Sequence, residues 1–79
     1  MFELYQLEQL IAFAECGTLS GTAAKLLLSQ TALSRSMQRL EREFQVPLFT
    51  RHKNKIELNE NGVLAVEYAR KVMEQTDDM

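Results

Sequence analysis

Residues 29–44 read SQTALSRSMQRLEREF, and the helix this stretch predicts has two unlike sides. Leu33, Met37, Leu40 and Phe44 recur at steps of four, three and four. At 100° per residue they fall within about 60° of one another, an apolar stripe made to be buried. Thr31, Arg35, Gln38 and Arg42 fall on the opposite side within a similar arc, with Ser34 at its flank and Gln30 nearer the boundary. Ser29 precedes the run as an N-cap. A helix that only packs usually fills its outer face with mixed charges, whereas this face carries no acid.

The sequence on either side supplies the supports such a helix needs. Upstream, Leu4, Leu7, Leu10, Ile11 and Ala14 predict a helix over roughly 3–16, ended by Gly17 as a left-handed cap. Thr18 or Ser20 can cap a short second helix through about Leu27, with Ala23, Leu26 and Leu27 available for packing. Downstream, Pro47 stops helical continuation. The stretches LFTR and KIEL read as two short strands around HKN, where Asn54 can take a left-handed turn conformation. Arg51, His52, Lys53 and Lys55 gather at the tip of that hairpin. Asn59 caps a last helix running past Lys71, with Glu60 in its first turn and Leu64, Ala65, Tyr68, Ala69, Val72 and Met73 as an apolar face.

Charge follows the same division. The net charge of the 79 residues is −2, which on its face disfavours a polyanionic partner. Yet residues 1–19 hold three acids and no base, and residues 56–79 hold six acids against Arg70 and Lys71. Residues 20–55 hold seven bases against Glu41 and Glu43, so every excess positive charge sits in the middle segment. An asymmetric field of this kind draws a polyanion to one face.

A short helix, a turn and a longer helix with a polar outer face make a helix-turn-helix, and a following hairpin adds a wing. A helix with its side chains fits the major groove of DNA, about 12 Å wide. Arg can donate two hydrogen bonds to guanine O6 and N7, and Gln can bridge adenine N6 and N7. Thr31, Arg35 and Gln38 are therefore candidate base contacts. Ser29 and Thr31 hydroxyls beside the free first-turn amides suit a phosphate, and Arg42 is a candidate backbone contact. Arg51, His52, Lys53 and Lys55 on the wing are candidates for the backbone or the neighbouring minor groove.

These residues also carry a resemblance. The series LEQLIAFAECGTLS, LSQTALSRSMQRLE, VPLFTR and LNENG, in that order and at this spacing, resembles the N-terminal DNA-binding domain of LysR-type transcriptional regulators across essentially the whole chain. The resemblance implies a mainly α fold: a winged helix-turn-helix of three core helices, a β-hairpin wing and a C-terminal linker helix. It implies a DNA-binding domain over residues 1–58 and a linker or dimerisation helix over 59–79, with the family's effector-binding domain absent from this chain. A small-molecule inducer is expected only with that further domain. By position, Gln30, Ser34 and Arg35 match the family's groove-facing residues and Arg51 the basic residue that begins the wing. Leu64, Tyr68, Val72 and Met73 match the start of a helix that pairs subunits, so a homodimer or higher homo-oligomer on double-stranded DNA is expected. The chain departs from the family pattern at Thr31, usually proline, at Gln45, usually glycine, and at Asn59, usually threonine. A non-glycine residue in a left-handed cap costs about 1 kcal/mol, which predicts a reshaped end to the third helix at Gln45.

Other classes find less support. His52 has no cysteine or clustered acid beside it in sequence, so neither a metal nor another cofactor is expected. No nucleophile–base pair or glycine-rich phosphate loop occurs, which argues against an enzyme. Cys16, the only cysteine, is expected to be packed and suits a reducing cytosol. The longest charge-free runs, 16–24 and 26–34, fall far short of the ~20 residues a membrane helix needs. The alternative is a small helical interaction module dimerising through 60–76. Such a module would present apolar anchors on the outer face of the third helix, and none is there.

Overall fold

The computed structural model describes residues 3–53 and 55–77, so Asn54 and its expected turn conformation lie outside the described residues. The elements run α1 (Leu4–Cys16), α2 (Leu19–Leu26), α3 (Gln30–Phe44), β1 (Phe49–His52), β2 (Lys55–Leu58) and α4 (Glu60–Asp77). This is the mainly helical winged helix-turn-helix expected from the pattern. Leu7, Leu10 and Phe13 of α1 meet Leu33, Met37 and Leu40 of α3 in one core, closed by Leu48, Phe49, Ala65, Val66 and Ala69. Fully burying a Leu, Phe or Met side chain contributes about 1.5–3 kcal/mol, so this one cluster dominates the stability of a small domain.

Local chemistry sets where each helix begins and ends. Gly17, at φ +83°, donates its amide to the Phe13 carbonyl at 2.8 Å and closes α1. Thr18 is the cap of α2; its Oγ1 accepts from the Gly21 amide at 3.1 Å. The buried Thr22 hydroxyl donates to the Thr18 carbonyl at 2.6 Å. Ser29 Oγ accepts from the Ala32 amide at 3.0 Å and starts α3. Asn59 Oδ1 accepts from the Gly62 amide at 2.8 Å and starts α4.

Three expectations need correction. Leu27 does not pack: it sits in the left-handed region at φ 59° and is 91 % exposed. The amides of Leu27 and Leu28 close α2 onto Ala24 and Ala23 at 3.3 and 2.9 Å, and Leu28 takes the core position instead. Cys16 is exposed: it follows the buried Ala12 and Phe13 at helical spacing but is the last residue of α1, with no further turn to cover it. Gln45 does not reshape the helix end, because it adopts the left-handed cap at φ 63° and donates to the Glu41 and Arg42 carbonyls at 2.9 and 3.2 Å.

The hairpin is antiparallel, with Phe49 opposite Leu58, Thr50 opposite Glu57, Arg51 opposite Ile56 and His52 opposite Lys55. Its first strand starts one residue later than LFTR suggests: the Leu48 carbonyl still pairs in register, but the Leu48 amide is taken by Glu41 Oε2 at 2.9 Å. The Leu48 carbonyl accepts from the Asn59 amide at 3.0 Å, bringing the first turn of α4 against it. A Cβ on Gly62 would overlap that carbonyl, so only glycine permits this approach.

The apolar face expected on α4 divides in two. Ala65, Val66 and Ala69 are buried against the core, with Val72 packed partly onto it. Val63, Leu64 and Tyr68 stand 49, 62 and 47 % exposed, although the Tyr68 ring meets Phe44 edge-on at 6.1 Å.

Candidate nucleic-acid interface

Helix α3 is clamped on one side and open on the other. Leu33, Met37 and Leu40 are 0–1 % exposed. Ser36, also buried, donates its hydroxyl to Gln9 Oε1 of α1, a second fixing point that sequence reasoning did not include. Thr31, Arg35, Gln38, Arg39 and Arg42 are all exposed. The opposition of faces read from the spacing is therefore the opposition present in the fold.

The candidate residues do not form a single patch. Gln30 and Ser34 face the wing across a cleft of about 440 Å³, shared with Arg51, His52, Lys55 and the first turn of α2 from Thr18 to Ser20. That turn of α2 was not among the expected site residues. Its hydroxyl-rich composition, Thr18 and Ser20, was the available signal, since such residues suit phosphate oxygens. Arg35 and Arg39 open to the other side of α3, into a cleft of about 390 Å³ bordered by Tyr5, Gln9, Leu28, Ala32 and Ser36. Gln38 and Arg42 border a third, shallower depression with Gln45, Val46 and Pro47 at the C-terminal end of α3. Ser29 is exposed at the start of the helix with its Oγ engaged as the cap.

The cations of the two surfaces are in different electrostatic states. On the wing, Arg51 Nη2 lies 3.6 Å from Glu41 Oε1, and its guanidinium sits 5.9 Å from the centre of the Phe49 ring. Glu57 holds Lys55 at 3.0 Å and His52 at 3.4 Å. The hydrogen bond and charge of Lys55 lower the Glu57 carboxyl below its ordinary value, against an opposing desolvation and with smaller help from His52. Lys53 carries no such partner among the described residues. On α3, no carboxylate among the described residues pairs with Arg35, Arg39 or Arg42 within 4.0 Å. Glu41, one of the two acids adjacent to Arg42 in sequence, is turned instead toward Arg51 and the backbone of residues 48 and 49.

Among the described residues there is no group of three or more His, Cys, Asp or Glu side chains that could hold a metal ion. No helix among them is long and apolar enough to cross a membrane.

Comparison with known proteins fits this geometry. Residues 4–63 match the family described as "Bacterial regulatory helix-turn-helix protein, lysR family". The chain is 39 % identical over 72 residues to a probable RuBisCO transcriptional regulator of Emiliania huxleyi, covering 91 % of this chain and 23 % of that protein. It is 36 % identical over 77 residues to the HTH-type transcriptional regulator PecT of Dickeya dadantii, covering 96 % and 24 % respectively. The chain thus spans about a quarter of the length of the curated relatives it matches. Among solved structures, the DNA-binding domain of CbnR in complex with DNA superposes with a TM-score of 0.91 at 36 % identity, covering 98 % of this chain and 88 % of that one. The BenM DNA-binding domain on catB site 1 DNA gives 0.89 at 31 % identity, covering 99 % and 84 %. The chain belongs to the LysR family of bacterial transcriptional regulators, of which it is the winged helix-turn-helix DNA-binding domain.

Proposed function

We propose that this domain reads double-stranded DNA in sequence-specific fashion, with α3 in the major groove and the wing on the backbone or adjacent minor groove. The observation that carries the reading is the outer face of α3: exposed Thr31, Arg35, Gln38 and Arg42, no acid, and arginines without a counter-charge among the described residues. Gln30, Thr31, Ser34, Arg35 and Gln38 contact bases. Ser29, Arg42, Arg51, His52, Lys53 and Lys55 contact phosphate or the minor groove, with Thr18 and Ser20 added across the cleft. The solved DNA complexes of the CbnR and BenM domains support the placement by analogy.

In this reading residues 1–58 form the DNA-binding unit and 59–79 the linker helix of a homodimer or larger homo-oligomer in a bacterial cytoplasm. Exposed Leu64 and Tyr68 and the half-buried Met73 supply the subunit seam, while Val72 is shared between that seam and the core. Two α3 helices then enter grooves about 34 Å apart, one helical turn or a multiple of it. The interaction-module reading is not favoured, since no apolar anchor stands on the outer face of α3. The test is fluorescence anisotropy with duplexes recovered by selection from random sequence and titrated in salt. Tight binding to a shared motif that falls steeply with salt is expected. Equal, weak affinity for every duplex would sink the sequence-specific reading.

A further inference from the structure

Glu41 is an acid in the basic segment, and the contacts it makes explain why it is there. It lies at the edge of the buried stripe on α3 with its side chain only 15 % exposed. Its Oε2 accepts the amides of Leu48 at 2.9 Å and Phe49 at 3.2 Å, the residues through which the chain enters β1. Its Oε1 faces Arg51, whose guanidinium is held between that carboxylate and the Phe49 ring. Hydrogen bonds from amides to an ionised carboxylate are about twice as strong as neutral ones. The opposite side of the same strap is held by α4: Asn59 Nδ2 donates to the Pro47 carbonyl at 3.0 Å and the Asn59 amide to that of Leu48. Residues 47–49 are therefore anchored through N–H groups to the recognition helix and through carbonyls to α4.

We propose that Glu41 is a positioning residue for the wing, setting the placement of the hairpin against α3 through the backbone of Leu48 and Phe49 without itself touching DNA. The proposal rests on the reading of α3 and the wing as two contacts on one duplex. Two contacts joined rigidly at the correct spacing act as one, because engaging the first presents the second at high effective concentration. With Glu41 lost, the wing still carries its cations but no longer presents them where α3 has docked. The unoccupied alternative is that Glu41 only adds stability.

The test is Glu41→Gln, close in shape but uncharged, with thermal melting by circular dichroism to establish that the domain stays folded. Without DNA, the Leu48 and Phe49 amides are expected to exchange with solvent about tenfold faster, while those of the α1 and α3 interiors keep their protection. With a selected duplex, Lys53→Ala is expected to weaken binding about threefold in the native background and by less than twofold beside Glu41→Gln. Unchanged exchange at Leu48 and Phe49 would overturn the proposal. So would an equal cost of Lys53→Ala in both backgrounds, since the wing would then be placed without Glu41. Should Lys53→Ala cost nothing in the native background, the wing's place on DNA fails, and the exchange rates alone decide for or against Glu41.

Discussion

The outer face of α3 and the wing carry similar numbers of cations, but in different states. Arg35, Arg39 and Arg42 have no carboxylate partner among the described residues, whereas Arg51 and Lys55 on the wing each face one within 3.6 Å. A free cation gains the whole of a new interaction with phosphate or base. A paired one must first give up, or share, the carboxylate it has. Exposed pairs are worth about 0–1 kcal/mol, so the wing's cations are restrained rather than locked. The difference assigns discrimination and most affinity to α3, and a smaller, geometrically governed share to the wing.

The assignment breaks most readily at Arg35. Replacing it with alanine is expected to cost about 1–3 kcal/mol against the preferred duplex and to flatten discrimination at one base position. Anisotropy titrations against single-base variants of the selected duplex measure this. A uniform loss across all variants would move Arg35 to the phosphates and remove the basis for ranking the two surfaces.

Lys53, the wing-tip cation with no carboxylate partner among the described residues, gives the next effect. Lys53→Ala is expected to lower affinity for all duplexes alike and to reduce the salt dependence by about one unit. An unchanged slope with an unchanged affinity would take the wing tip off the duplex. Glu57→Gln runs the other way. It releases Lys55 and His52 and should raise affinity a few-fold, most visibly for unselected DNA, where the electrostatic share of binding is greatest. Affinity that falls instead would show Glu57 to be ordering the hairpin rather than occupying its charges.

How far these surfaces could be read from sequence differs for physical reasons. The α3 face was legible because a 3.6-residue period converts spacing directly into direction, and Ser29 and Gly17 punctuate as their side-chain chemistry requires. Leu27 was misread because a left-handed residue leaves the helical period, so the next residue, Leu28, inherits the inward direction. On α4 the periodicity showed the apolar positions without dividing them; only the family resemblance set Leu64 and Tyr68 apart from Ala65 and Ala69, the residues that face the core. That choice belongs to close packing between helices and leaves no mark in the periodicity. Glu41 and the Thr18–Ser20 turn were hidden more deeply. Their partners lie seven and more residues away, and only the path of the chain after Pro47 brings them together.

The smallest expected effect sharpens the wing's side of the comparison by titration. Glu57 is held below its ordinary value chiefly by Lys55, and more weakly by His52. A carboxyl lowered on folding contributes stability that is fully present above its unfolded value and is lost as pH falls through the lowered folded value. The Glu57 side chain is exposed, so this contribution is minor and the titration midpoint is the better readout. Following the Glu57 side-chain carboxyl by NMR, the midpoint is expected below that of an unperturbed glutamate and to return toward it in Lys55→Ala. Loss of only His52, by His52→Ala, should move it less, because Lys55 is the first and largest cause. Were both substitutions to leave the midpoint in place, Lys55 would be as unpaired as the arginines of α3, and Arg51 on Glu41 alone would set the wing's charges apart.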